Sequence, residues 1–281
     1  MTIRTILATM QADVDPAPQL GAAFQLARRL GASVDALYVR PNPAVELAAL
    51  AETVAMYRIS YDDLEQQVRE RAARTRERYE ACRDAAGRDA RPEAPQSTTW
   101  CEIDGFLEAV LERRGRLADL LVLRHPERNK PETGRAFDAA VFSTGRPCLL
   151  VRDRVPEALL NHVVVAWNGS LEGTHAVAGA MPLLEAAGRV SIFSAPRPDG
   201  DAEHGPELAR ALARHGIEAH ELPLARTEGP VGAVFLTAAA AAGATLLVMG
   251  AYTHSRVRQT LLGGMTRHVL DDAAVPVLMA H

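Results

Sequence analysis

The chain is 281 residues long, 48% hydrophobic and 23% charged, with a formal net charge of −4. That length favours two domains over one, and without a basic excess there is no reason to expect nucleic acid as a partner. Cys82, Cys101 and Cys148 form neither a CxxC nor a disulfide framework, the N-terminus lacks a signal-peptide pattern and no long uncharged apolar window suggests a membrane span, so a reducing, cytoplasmic setting is expected.

In chain order, the first half predicts strands at Thr5–Thr9, Val34–Val39, Thr98–Ile103, Asp119–Leu123 and Cys148–Val151. Between the second and third lies a long insertion, roughly Ala44 to Arg88. Its stretch Asp62 to Arg88 is crowded with Glu and Arg and reads as a solvated helix with one apolar stripe. A dimer contact through Leu64 and Val68 is the sharper reading of that stripe. A charged, proline-bearing linker, Arg152-Asp153-Arg154-Val155-Pro156, follows.

The second half opens with a β-rich run, His162–Trp167, ending in the turn residues Asn168-Gly169-Ser170. Val177, Ala180, Met181 and Leu184 have helical spacing, and Val190–Phe193 is the next strand. Pro206–Ala213 predicts a helix and Ile217–Leu222 a strand. Val231, Val234, Phe235, Ala238, Ala239 and Ala242 mark another helix. Thr245–Met249 is near-continuously apolar, as a strand covered on both faces must be. A last helix, about Thr266 to Asp272, and a strand at Val275–Met279 close the chain.

Strands alternating with helices imply a parallel sheet flanked by helices, once in each half. The halves are copies: Ala118–Leu123 matches Ala244–Met249, and Pro147–Val151 matches Pro276–Ala280. The fold class is therefore α/β, two tandem open parallel five-stranded sheets, with domains at 1–153 and 160–281.

Val248 to Thr266 is the informative stretch. It resembles the signature of ATP-binding universal stress proteins: a glycine, two residues, a second glycine, nine residues, then glycine followed by serine or threonine. Gly250 and Gly263 match, and Thr266 matches a threonine that commonly follows. Thr253 stands where the second glycine belongs, and Gly264 where the serine or threonine belongs. Physically, Gly250 ends a buried strand, and ligands of open parallel sheets bind beyond the strands' carboxyl ends. Glycines before a helix let backbone N–H groups and the helix dipole meet an anion.

The resemblance implies a universal stress protein fold of the adenine nucleotide alpha hydrolase-like kind. It implies ATP, with or without Mg²⁺, bound by the C-terminal domain. Met249 and Gly250 would touch ribose or adenine, while Gly263, Gly264, Met265 and Thr266 would hold the phosphates with Thr253 in the intervening loop. Ala166-Trp167-Asn168 resembles the family's first strand ending, which often carries an aspartate at the place of Asn168. Asn168 would bond adenine or ribose, or cap the next helix; Trp167 reads as a core residue. The family commonly pairs domains through last strands, so Cys148–Val151 and Val277–Met279 are expected to pair antiparallel within the chain.

The N-terminal copy departs from the signature. Arg124 stands for Gly250, Arg135 for Gly264 and Phe137 for Thr266, which predicts a structural or regulatory half without a nucleotide. There is no GxxxxGK[ST], no GxGxxG after a first strand and no GxSxG, against P-loop NTPases, dinucleotide-binding dehydrogenases and α/β-hydrolases. His254 and His268 flank the phosphate-type loop without metal-ligand spacing, and Arg256, Arg258 and Arg267 lie near it. No nucleophile with an obvious base emerges, so no dedicated enzyme activity is expected. A nucleotide-binding sensor of stress, a nucleotide-free scaffold and a slow ATPase stay open as functions.

Overall fold

The computed structural model describes residues 2–43, 61–88, 97–194, 204–222, 229–251 and 264–281. The insertion's first part, the linker residues of the phosphate-type loop, and with them Thr253, His254, Arg256, Arg258 and Gly263, lie outside the described residues.

In chain order the N-terminal elements are β1 (Thr5–Met10), α1 (Ala17–Leu30), β2 (Ser33–Arg40), α2 (Tyr61–Arg88), β3 (Thr98–Asp104), α3 (Leu107–Gly115), β4 (Leu120–Arg124), α4 (Pro131–Ser143) and β5 (Cys148–Val151). The C-terminal elements are β6 (Val163–Trp167), α5 (Leu171–Glu185), β7 (Val190–Ser194), α6 (His204–Ala213), β8 (Ala219–Glu221), α7 (Val231–Ala241), β9 (Leu246–Gly250), α8 (Gly264–Asp272) and β10 (Val277–Ala280). The expected strands are all present, with ends shifted by a residue or two.

Within each half every strand pairing is parallel. The halves meet at β5 and β10, which pair antiparallel with Leu149 opposite Leu278, as the family resemblance implied. The two five-stranded sheets thereby become one ten-stranded sheet in the order β3-β2-β1-β4-β5-β10-β9-β6-β7-β8. Pairing β5 with β10 satisfies two edges that would otherwise expose unpaired N–H and C=O groups.

The sheet's central strands are buried on both faces, which is why their sequences are continuous apolar runs: Leu120–Arg124, Cys148–Val151 and Val277–Ala280 are buried throughout. One apolar layer joins α1, α2, α5 and α6 to the sheet, and a second joins α3, α4, α7 and α8. Both layers draw on both halves. Polar ties reinforce the junction. Gln25 donates to the Pro156 carbonyl at 3.0 Å and accepts from the Leu159 N–H at 3.2 Å. Arg152 donates to the Leu270 and Asp271 carbonyls at 2.6 and 2.7 Å, capping the C-terminal end of α8 with a positive charge.

The stripe of α2 is used inside the chain. Leu64, Val68, Ala72, Thr75 and Tyr79 recur every three or four residues and are all buried. Tyr79 lies 5.4 Å from the ring of Trp100, which stacks on Tyr38 at 5.8 Å. The suggestion that Leu64 and Val68 form a dimer contact is therefore corrected: at 6% and 2% exposure they are already covered by their own domain. The outer faces of α2 carry ion pairs such as Arg69–Glu65 and Arg76–Glu80, as the charge pattern required.

Candidate functional site

The C-terminal site is set by the carboxyl edge of the sheet. β6 and β9 are neighbours, with Ala166 opposite Met249, so the turn after Trp167 lies beside the strand end at Gly250. The connection from β9 to β10 passes through α8, which begins at Gly264 and packs against α7. A parallel crossover of this kind places the helix N-terminus at the carboxyl edge. The described site residues Ala166, Trp167, Asn168, Met249, Gly250, Gly264, Met265 and Thr266 thus belong to one edge.

Their roles separate on inspection. A Cβ on Gly250 would stand 2.6 Å from the Gly173 amide nitrogen and 2.7 Å from the Glu172 carbonyl carbon. Gly250 is glycine because the first turn of α5 rests on it, a close backbone approach that a sequence alone reads as room for a ligand. A Cβ on Gly264 would meet nothing within 4 Å among the described residues. The N–H groups and the positive end of a helix at such a start favour an anion. The first turn of α8 carries no acidic residue to compete for that place. Thr266 follows in the same turn and is 6% exposed.

The turn after β6 is tightly built. Asn168 Oδ1 accepts from the Ser170 N–H at 3.1 Å, and Gly169 takes a positive φ of 68° that favours glycine. Ser170, rather than Asn168, is the N-cap of α5: its hydroxyl accepts from the Gly173 N–H at 3.0 Å. Asn168 is occupied in the turn that delivers the cap. Trp167 is half-buried and packs against the core, in line with its reading as a core residue.

Two further residues end strands on this edge and escaped the sequence reading. Ser194 closes β7, and its hydroxyl donates to the Glu221 carboxylate, at the end of β8, at 3.2 Å. Gly205, at the start of α6, fits between them, since a Cβ there would collide with both side chains. The signal was faint, because a lone Ser and Glu at strand ends look like ordinary surface residues. Arg267 is exposed and pairs with Asp271 at 3.5 Å, and His268 Nδ1 donates to the Gly264 carbonyl at 2.7 Å while packing on Gly232.

The N-terminal copy uses the equivalent positions differently. Arg124, opposite Gly250 in the repeat, is buried and clasped between Glu127 at 2.7 Å and Asp153. Phe137, opposite Thr266, is 3% exposed in the core. Next to Arg124, His125 is buried beside Arg152, and desolvation with that positive neighbour pushes its pKa down to about 4. The neighbouring Asp153 and Glu127 carboxylates are held below their ordinary values, Asp153 chiefly by its bond to Arg124 and Glu127 by Arg124 and Lys130 against the cost of burial.

Residues 160–281 match the family model described as the universal stress protein family. No curated protein sequence matches the chain. Solved structures agree in fold over the whole length. A universal stress protein from Archaeoglobus fulgidus has a TM-score of 0.67 at 15% identity, covering 99% of this chain and 96% of its own. A Pseudomonas aeruginosa protein described as functionally unknown has a TM-score of 0.56 at 17% identity, covering 99% and 92%. The cytoplasmic domain of a prokaryotic cation chloride cotransporter has a TM-score of 0.50 at 13% identity, covering 100% and 96%. Among the described residues no helix is long and apolar enough to cross a membrane.

Proposed function

We propose that the chain is a tandem universal stress protein, with the family's domain at residues 160–281 and a matching fold throughout, and that its C-terminal domain binds ATP and serves as a sensor or regulator in a stress response. The observation that carries this reading is the start of α8. Gly264 has no packing reason to be glycine among the described residues, its helix turn is free of acid, and it shares an edge with the β6 turn and Gly250. A triphosphate would lie against the N–H groups of Gly264 and Met265, with Thr266 as hydroxyl donor. The base and ribose would lie toward Asn168, Met249 and Gly250. Mg²⁺, where it accompanies the nucleotide, would supply positive charge against the phosphates, a role that needs few protein ligands.

The test is equilibrium binding of labelled ATP to the full chain, with and without Mg²⁺, compared with Gly264→Val. Saturable binding in the wild type, weakened at least tenfold in the variant, supports the site. No binding at millimolar ATP hands the domain to the rival reading, a scaffold with an empty cleft. The cotransporter's cytoplasmic domain, a likeness in fold alone, makes that rival worth testing. ADP formation that disappears in the same variant would make the protein a slow ATPase instead.

A further inference from the structure

The N-terminal half holds a cleft that the nucleotide reading does not use. It lies beyond the carboxyl ends of β1 and β2, at Met10, Gln11, Tyr38 and Val39, and has a volume of about 530 Å³. Leu64 of α2 closes one side, and the first turns of α3 and α4 close another through Leu107 and Glu132. Pockets for small organic molecules span roughly 300–1,000 Å³ and are lined mainly by apolar groups with a few polar ones. Phe106 adds a further apolar wall and is 60% exposed.

The charges select the class of ligand. Both helices that start at the cleft carry a carboxylate in the first turn, Glu108 in α3 and Glu132 in α4. These acids already match the positive helix ends, so an incoming anion gains little there. Arg135 lines the cleft but pairs with Glu108 at 3.7 Å. Among the described lining residues the three carboxylates of Asp13, Glu108 and Glu132 outnumber the two guanidinium groups of Arg71 and Arg135. At the back, Gln11 is 7% exposed, and its amide donates to the Thr9 hydroxyl at 3.2 Å.

We propose that this cleft is a second ligand site, selective for a flat organic cation with an apolar body, and independent of ATP. The residues that depart from the family signature, Arg135 among them, are then part of a replaced specificity rather than a plain loss.

The full chain is titrated with two flat dyes, the cation thioflavin T and the anion anilinonaphthalene sulfonate, followed by emission, with and without saturating Mg-ATP. Wild type is expected to bind thioflavin T at one saturable site, at least tenfold more tightly than the anion and unaffected by ATP. Glu132→Lys is expected to weaken thioflavin T by about five- to tenfold and to strengthen the anion, as reversal of one half-buried charge within a few ångströms would. Phe106→Ala, which removes an exposed ring and leaves the fold intact by circular dichroism, is expected to weaken both dyes severalfold. Absent saturable thioflavin T binding, a preference for the anion, displacement by ATP, or affinity unmoved by both substitutions would each overturn the proposal. Dye binding in a chain that fails to bind ATP would leave this site standing and remove only the C-terminal one.

Discussion

Gly250→Ala is the substitution that most directly tests how the C-terminal edge is built. The added methyl would sit 2.6 Å from the Gly173 nitrogen and 2.7 Å from the Glu172 carbonyl carbon, against an ordinary contact of about 3.4 Å or more. Both atoms are backbone, so no rotamer change relieves the clash. The first turn of α5 must lift by close to 1 Å from β9, and the Ser170 cap and Asn168 turn lift with it. Overpacking of this sort costs about 1–3 kcal/mol. For a chain of this size that corresponds to a fall in melting temperature of about 2–10 °C. Gly264→Ala is the control. It adds a methyl that meets no described residue within 4 Å at the start of α8 and should change the melting temperature by no more than about 1–2 °C. Thermal melts followed by circular dichroism, with urea unfolding to check cooperativity, read both. A wild-type melt for Gly250→Ala together with loss of ATP binding would refute the packing argument, because Gly250 would then act on the ligand and not on α5.

The remaining predictions concern the supports of the two halves. His125 titrates at about 4 when folded against 6.5 unfolded, so its contribution is complete above pH 6.5 and is lost as pH falls toward 4. That amounts to about 2 kcal/mol between pH 7 and pH 5, and His125→Gln should flatten the dependence in urea melts across that window. Among the described residues the Tyr79 hydroxyl is buried without a partner, so Tyr79→Phe should melt at or above the wild-type temperature. Ser170→Ala removes the cap of α5 and should cost about 1 kcal/mol by urea unfolding. Gly179→Val would push a side chain into Pro147, whose Cβ lies 2.9 Å from the built Cβ; since Pro147 belongs to the other half, the melt should broaden or split as the halves lose their shared cooperativity.

The order of strands and helices was legible because the forces that set it are local or periodic. Strands covered on both faces are near-continuous apolar runs, as at Leu246–Gly250, and the helices of the second half show their apolar spacing. The repeat of Pro147–Val151 in Pro276–Ala280 showed the duplication, and the family resemblance implied that these last strands join the halves. The candidate site was legible as a set of residue types, Gly250 and Gly264 above all, but their purposes were not. Two glycines in one motif look alike in a sequence, yet one lies under a helix and the other meets no described residue within 4 Å.

By itself, then, the sequence determined the duplicated α/β architecture and the edge on which a ligand would sit, while the antiparallel seam between the halves was implied by family resemblance. Tertiary structure alone decided that Leu64 and Val68 are spent inside their own domain, that Arg124 is locked between two carboxylates, and that the altered N-terminal half keeps an open cleft. The reason is range. Periodicity and turn chemistry act between residues a few positions apart, whereas burial, ion pairing and free volume depend on which distant elements the completed sheet brings together.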